Sequence, residues 1–145
     1  MAEEVIVSIK GLQMAGGESN ESVELISSGT HRMEKECHVI EYDEVDEENQ
    51  EITNVTILLS KGHVEILKAG QSNVQMIFEE NQKTTSCYKT PYGDLMVGLD
   101  TSKIKMLEED DAIGVMLEYG LDMNYNHIAD CTITMKILFK DGAEE

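Results

Sequence analysis

The sequence predicts an all-β protein built from antiparallel sheet. The clearest evidence lies near the C-terminus, where residues 129–139 alternate apolar and polar side chains. A strand shows this pattern when one face packs on a core and the other meets water. No window shows a sustained, capped apolar repeat with the helical period. Gly and Asn mark most turns and Pro91 is the only proline, which suits hairpins joined by short loops.

The first half of the chain is predicted to contain six strands. Val5, Val7 and Ile9 alternate in the first strand, and Val23 and Leu25 open the second. Glycine-rich turns, charged turns or polar loops separate the strands. The six strands are residues 4–14, 21–33, 37–43, 52–59, 64–69 and 74–79.

The second half continues the pattern with longer strands. Apolar side chains alternate along residues 113–123, as they do along 129–139. Residues 102–111 suit either a short helix or another strand. The predicted strands of this half are residues 83–89, 95–100, 113–123 and 129–139.

This number of strands limits the architecture. Nine or ten strands twist too strongly for one flat sheet, so they split into a sandwich or close into a barrel, and the pattern leaves this choice open. A small barrel is either filled by side chains or holds one ligand. With 145 residues, the chain is expected to form one domain over residues 1–145.

The charge of the chain narrows the classes of partner. Its 29 acidic and 11 basic residues give a net charge of −18, which repels phosphate backbones, so nucleic acid and anionic membranes are not expected partners. We find no secretory signal and no apolar run long enough to cross a membrane, and we expect a cytoplasmic protein. Cys37, Cys87 and Cys131 are expected to be reduced structural thiols.

Several short motifs resemble the uncharacterised YwiB-like family of bacterial proteins. They are residues 88–95 (YKTPYGDL), Asp100-Thr101, residues 117–119 (LEY) and 131–134 (CTIT), together with Ser28-Gly29, Gly70 and Phe78. The resemblance implies a single antiparallel barrel of about eight to ten strands, like the calycin and lipocalin folds. It implies no known activity, and the chain lacks the tryptophan signature of secreted lipocalins.

Candidate ligand contacts follow from the inward face of the last two strands. They are Leu117, Tyr119, Leu121, Ile133 and Met135. A buried Tyr119 hydroxyl would need a partner, which a backbone carbonyl, a buried water or a ligand could supply. Tyr88 and Tyr92 are further candidates at a barrel mouth, although Thr90-Pro91-Tyr92-Gly93 also reads as a purely structural turn.

The sequence gives no positive sign of catalysis, a metal site or a cofactor. The four histidines have no metal-binding spacing, and the acidic clusters lack the pattern of a calcium loop. His31 would face His38 if the hairpin turned at Glu34-Lys35, and Ile40 if it turned at Lys35-Glu36. Arg32 is expected on the outer face in a surface ion pair.

Three functions from different classes remain. The first is a cytosolic barrel that binds a small apolar or amphiphilic molecule. The alternative is a packed barrel that acts as a protein-interaction or assembly module, for example as a homodimer. The least supported is an enzyme with polar groups at the barrel mouth. An interior space of about 300 Å³ or more would favour a binder, and an interior filled by side chains would favour the module.

Overall fold

A ten-stranded antiparallel sheet curls into a nearly closed barrel in this protein, which we describe from a computed structural model. The structure describes residues 3–11, 24–45, 50–70, 74–90 and 93–140, with the side chains of all of these except 24–25 and 87–90. The strands are β1 (Glu3–Lys10), β2 (Glu24–Glu34), β3 (Cys37–Val45), β4 (Ile52–Ser60), β5 (His63–Ala69), β6 (Val74–Glu79), β7 (Gln82–Thr90), β8 (Gly93–Glu108), β9 (Ala112–Met123) and β10 (Asn126–Phe139).

The order of the strands settles the choice between barrel and sandwich. Consecutive strands pair with each other, except for β6 and β7, which end the sheet, and β1 also pairs with β10. These two end strands are joined by the short Glu80-Asn81 turn, and the Thr84 hydroxyl donates to the Ile77 carbonyl between them. The predicted all-β barrel of eight to ten strands is therefore confirmed.

Alternate residues of each strand form one continuous core. In β10, Ile133, Met135 and Ile137 are buried, while the residues between them are exposed. This agrees with the half-buried strand that the alternation predicts. The predicted extension of the first strand to Met14 and the turn at residues 15–17 lie outside the described residues.

Residues 102–108 form a strand rather than a helix, because they continue β8. A bulge between Thr101 and Lys103 inserts one residue into the pairing with β9. Leu99 and Thr101 are buried before the bulge, and Ile104 is buried after it. The extra residue shifts the alternation by one, which interrupts the strand pattern in the sequence. No helix able to span a membrane occurs within the described ranges.

Candidate functional site

The five predicted ligand contacts lie together inside the barrel. β9 supplies Leu117, Tyr119 and Leu121, β10 supplies Ile133 and Met135, and Leu117 pairs directly with Ile133. All five are at most 3% exposed and belong to the core cluster. The structure thus brings them together, and their role as ligand contacts stays a prediction.

This part of the interior is filled. The ring of Tyr119 meets that of Phe78 edge-on, with 4.9 Å between the ring centres. Leu117, Phe78 and Ile133 have no exposed surface, whereas a side chain lining a space wide enough for water would retain some. The described interior around these residues is therefore packed by side chains in the manner of a solid core.

The two tyrosines proposed for a barrel mouth are only partly described. Tyr88 lies in β7, where its backbone pairs with that of Leu95 in β8. Its side chain is outside the description, and so is the whole of Tyr92. Their predicted role is therefore not tested.

The outer face of β8, β9 and β10 carries an apolar groove of about 780 Å³, which we call the Gly114 groove. Gly114 lies between Leu107 of β8 and Lys136 of β10 in the strand register. Met116 and Thr134 form the next cross-strand pair and also line the groove. Leu107 is 64% exposed, so the groove offers an apolar surface directly to solvent.

Gly114 leaves the centre of this groove empty without any backbone reason. Its φ angle is not in the left-handed region, and a Cβ atom added there would meet nothing within 4 Å. Glycine weakens the interior of a strand, and in strands it often marks a place where a ligand or another backbone approaches closely. A larger residue would fit sterically, so the fold itself does not require this glycine.

Lysines surround the groove, in contrast to the acidic character of the chain. Lys105 and Lys136 line it, and Lys10 and Lys103 occupy nearby positions on the same face. None of the four forms an ion pair with another described side chain, whereas Arg32, Lys68 and Lys83 do. Glu109 is the acidic residue among the groove lining. The groove therefore combines an apolar floor with lysines that form no ion pair with another described side chain.

A pair of buried histidines lies at the end of the barrel that holds the Lys35-Glu36 turn. Nε2 of His31 and Nδ1 of His38 are 2.9 Å apart. Their outer nitrogens face carboxylates, with His31 Nδ1 3.4 Å from Glu3 and His38 Nε2 3.3 Å from Glu108. Burial, together with the neighbouring His38 ring, lowers the pKa of His31. The four side chains form one line, carboxylate to imidazole to imidazole to carboxylate.

The register explains this contact. Lys35 and Glu36 both have positive φ, as in a type I′ turn, and His31 pairs with Ile40 as the second predicted register requires. His38 pairs with Met33, so the two histidines are diagonal neighbours on one face. Long side chains can reach across a diagonal. The sequence analysis considered only residues directly opposite each other, so it expected the His31–His38 contact in the other register and did not foresee it in this one.

Other described polar groups form ion pairs on the outer face. Arg32 contacts Glu34 at 2.7 Å and Glu41 at 3.0 Å on the outer face, as expected for a surface pair. Lys83 lies 2.5 Å from Asp122 and holds the pKa of that carboxyl below its usual value. Among the described residues, no group of three or more His, Cys, Asp or Glu side chains could hold a metal ion.

Comparison with known proteins places the chain in a family. Residues 7–135 match the family described as a domain of unknown function (DUF1934). The chain therefore belongs to the DUF1934 family. No curated protein matches it. The crystal structure of the ywiB protein from Bacillus subtilis is similar, with a TM-score of 0.70, 18% identity, and coverage of 92% of this chain and 91% of that chain.

At this identity, the similarity to the ywiB protein supports the fold alone. The resemblance to a YwiB-like family is confirmed, whereas the likeness to calycins stays a prediction.

Within this DUF1934 chain, a signal for the Gly114 groove was present in the sequence. Gly114 is the third residue of β9, and an isolated glycine inside a strand pattern indicates close approach by another group.

Proposed function

We propose that the protein is an interaction module that binds a segment of a partner protein in the Gly114 groove. The observation that carries the proposal is the open space above Gly114, at the centre of an apolar, lysine-flanked groove. The filled interior supports the packed-module alternative over a ligand carried inside the barrel. Binding inside would require buried side chains such as Leu117 and Ile133 to move apart.

The groove favours a partner of a particular chemistry. Its apolar lining, including Leu107 and Met116, suits leucine-like or aromatic side chains. Lys105 and Lys136 suit carboxylates placed beside those apolar groups. The missing side chain at Gly114 allows an extended backbone to approach the sheet closely. An extended segment that combines apolar and acidic residues therefore fits best.

Selection from a random peptide library on the immobilised protein tests this proposal. We expect the selected peptides to combine apolar residues with Asp or Glu. Gly114→Phe should weaken their binding by more than about tenfold, because its ring fills the groove. Lys105→Glu combined with Lys136→Glu should weaken binding by roughly three- to tenfold at low salt. Lys61→Glu, in the turn between β4 and β5, is the matched control and should have no effect.

Two outcomes would refute the proposal. The first is selection of peptides without acidic residues, and the second is equal affinity for Gly114→Phe and the wild-type protein. Circular dichroism and thermal unfolding of each variant show whether the barrel is intact. Light scattering across a concentration range identifies a second copy of the chain as the occupant, which is the homodimer that the sequence left open.

A small amphiphilic anion is a second candidate for the same groove. Its volume of about 780 Å³ falls in the range of small-molecule sites, and two lysines could hold an acidic head group. Titration with decanoate, followed by amide shifts in NMR spectra, tests this candidate. Shifts confined to residues around Gly114 would support it, and shifts spread over the whole surface would not.

We further propose that the protein works in a reducing, cytosolic setting. Cys37 and Cys131 are free, and the net charge of −18 argues against nucleic acid or an anionic membrane as partner.

A further inference from the structure

The line of Glu3, His31, His38 and Glu108 connects distant parts of the barrel. Its members come from β1, β2, β3 and β8, in that order along the line. β3 and β8 are five positions apart in the ten-strand order, on opposite sides of the barrel. The contact between His38 and Glu108 therefore crosses the barrel at this end, where it ties the C-terminal end of β8 to the opposite wall.

Three contacts in this line need three protons on two imidazole rings. A carboxylate only accepts, and a bare ring nitrogen would set its lone pair against the carboxylate 3.3–3.4 Å away, so a proton is favoured on both His31 Nδ1 and His38 Nε2. The inner nitrogens, 2.9 Å apart, need one further proton between them. Two neutral imidazoles carry only two protons in all. The observed geometry is satisfied when the pair holds one proton more than this and one positive charge lies between two carboxylates.

We propose that His31 and His38 share one excess proton, and that this proton fixes the end of β8 and with it one edge of the Gly114 groove. Leu107 and Glu109, on either side of Glu108, both line that groove. The regulation of the groove rests on the function proposed above. The contact between the histidine pair and Glu108, which we call the lock, does not depend on that function.

Loss of the proton is expected to release Glu108 rather than Glu3. Nδ1 of His31 is buried and has no hydrogen-bond partner within normal distance, so a proton left there keeps Glu3 as its nearest acceptor. The His38 side chain is more exposed, at 11% against 7%, so water can replace Glu108 beside it. The Glu108 side chain is itself 56% exposed and is easily hydrated. Burial lowers the pKa of His31, which favours the neutral form of that ring.

Few other groups could control this proton. Glu3 and Glu108 are the charged side chains that contact the pair, from β1 and β8. Within the described residues, Ile40 pairs with His31, Leu59 pairs with His38, and the ring of Phe139 meets His31 edge-on at 4.9 Å. None of these three titrates, so a pH response at this end is attributed to the histidine pair.

Hydrogen exchange of the free protein tests the lock without any partner. The amide of Glu109 donates to the Ala112 carbonyl at 2.8 Å, and that of Phe139 to the Asp111 carbonyl at 3.0 Å, so both report on the end of β8 and the turn after it. Between about pH 6 and pH 8.5 we expect the protection factor of Glu109 to fall roughly fivefold, as expected for loss of one exposed charge-assisted contact. Protection factors already correct for the intrinsic pH dependence of exchange.

Two variants make the test specific. Glu108→Gln places an amide beside His38 that can accept from Nε2–H or donate to bare Nε2, so protection should become independent of pH. His63→Gln changes a histidine of β5 whose ion pairs with described side chains are to Glu65 and Glu79, and it should respond like the wild type. A pH response that persists in Glu108→Gln, or is absent from the wild type, would overturn the proposal.

Nitrogen chemical shifts of labelled histidines give a second, direct measurement. Near pH 6.5, we expect three protonated ring nitrogens over His31 and His38 together. Two protonated nitrogens at that pH would refute the shared proton. If the lock is present but no peptide binds the groove, the proposed function fails and this inference stands.

Discussion

Individual side chains of the same type have opposite roles on the two faces of the sheet. Leu117 is fully buried between Ile104 of β8 and Ile133 of β10, whereas Leu107 is 64% exposed on the wall of the Gly114 groove. A buried leucine contributes both its transfer free energy and the packing of its neighbours. An exposed leucine contributes little to stability. Comparing the two separates a structural role from the proposed binding role.

We predict that Leu117→Ala lowers the free energy of unfolding by about 3 kcal/mol, because the packed interior cannot close over the cavity. Leu107→Ala should change it by less than about 0.5 kcal/mol and should weaken binding of the selected peptides. Urea denaturation measures both variants. A loss below about 1 kcal/mol for Leu117→Ala would mean that the interior is already hollow at this site, as in a ligand-binding barrel.

The sequence predicts which residues point inward more reliably than what fills the space between them. Alternation alone places Leu117 and Ile133 on one face. The contact between Tyr119 and Phe78 joins β9 to β6, and it depends on how the sheet closes. Packing of this kind depends on three-dimensional volumes, which the periodicity of a single strand does not contain.

Among the strands, β9 shows how one element can serve two purposes. Its inner residues build the core, and Gly114 on its outer face leaves the groove open. Gly29 in β2 is different, because a Cβ there would lie 2.5 Å from the Glu41 carbonyl oxygen and 3.0 Å from Cβ of Tyr42. The fold requires the glycine at 29 and does not require the one at 114.

We predict that Gly114→Val raises the free energy of unfolding by about 0.5–1 kcal/mol, because valine is a better strand residue and meets no neighbour. The same change should weaken binding of the selected peptides by partly filling the groove. Gly29→Ala is the contrasting variant and should lower the free energy of unfolding by about 1–3 kcal/mol through overpacking. Thermal unfolding and peptide titration measure both. Unchanged peptide affinity in Gly114→Val would show that the open space has no role in binding.

Most strands of the barrel could be predicted from alternation, and the exceptions have physical causes. The bulge after Thr101 shifts the alternation of β8 by one residue, so its second half also suited a helix. The histidine contact required both the turn at Lys35-Glu36 and the diagonal reach of two rings. The hydrophobic pattern specifies which face of each strand is buried, whereas turn type and bulges set the exact pairing between neighbouring strands.

On the scale of the whole molecule, charge is distributed unevenly. The chain carries a net charge of −18, and four of its 11 basic residues are the lysines on the face of the Gly114 groove. Carboxylates elsewhere repel one another in the compact state more than in the unfolded chain. Dissolved salt screens this repulsion, and the distance over which charges still interact shortens as the salt concentration rises.

We predict that sodium chloride stabilises the protein. Raising its concentration from about 0.02 M to about 0.5 M should increase the free energy of unfolding by about 1 kcal/mol, or roughly 3 °C in Tm, because screening relieves the repulsion between carboxylates. Sodium sulfate at equal ionic strength is the control, since sulfate also strengthens hydrophobic burial in any protein. Stabilisation by sulfate alone would contradict the prediction. A fall in Tm with sodium chloride would mean that local ion pairs, such as Lys83 with Asp122, outweigh the net repulsion.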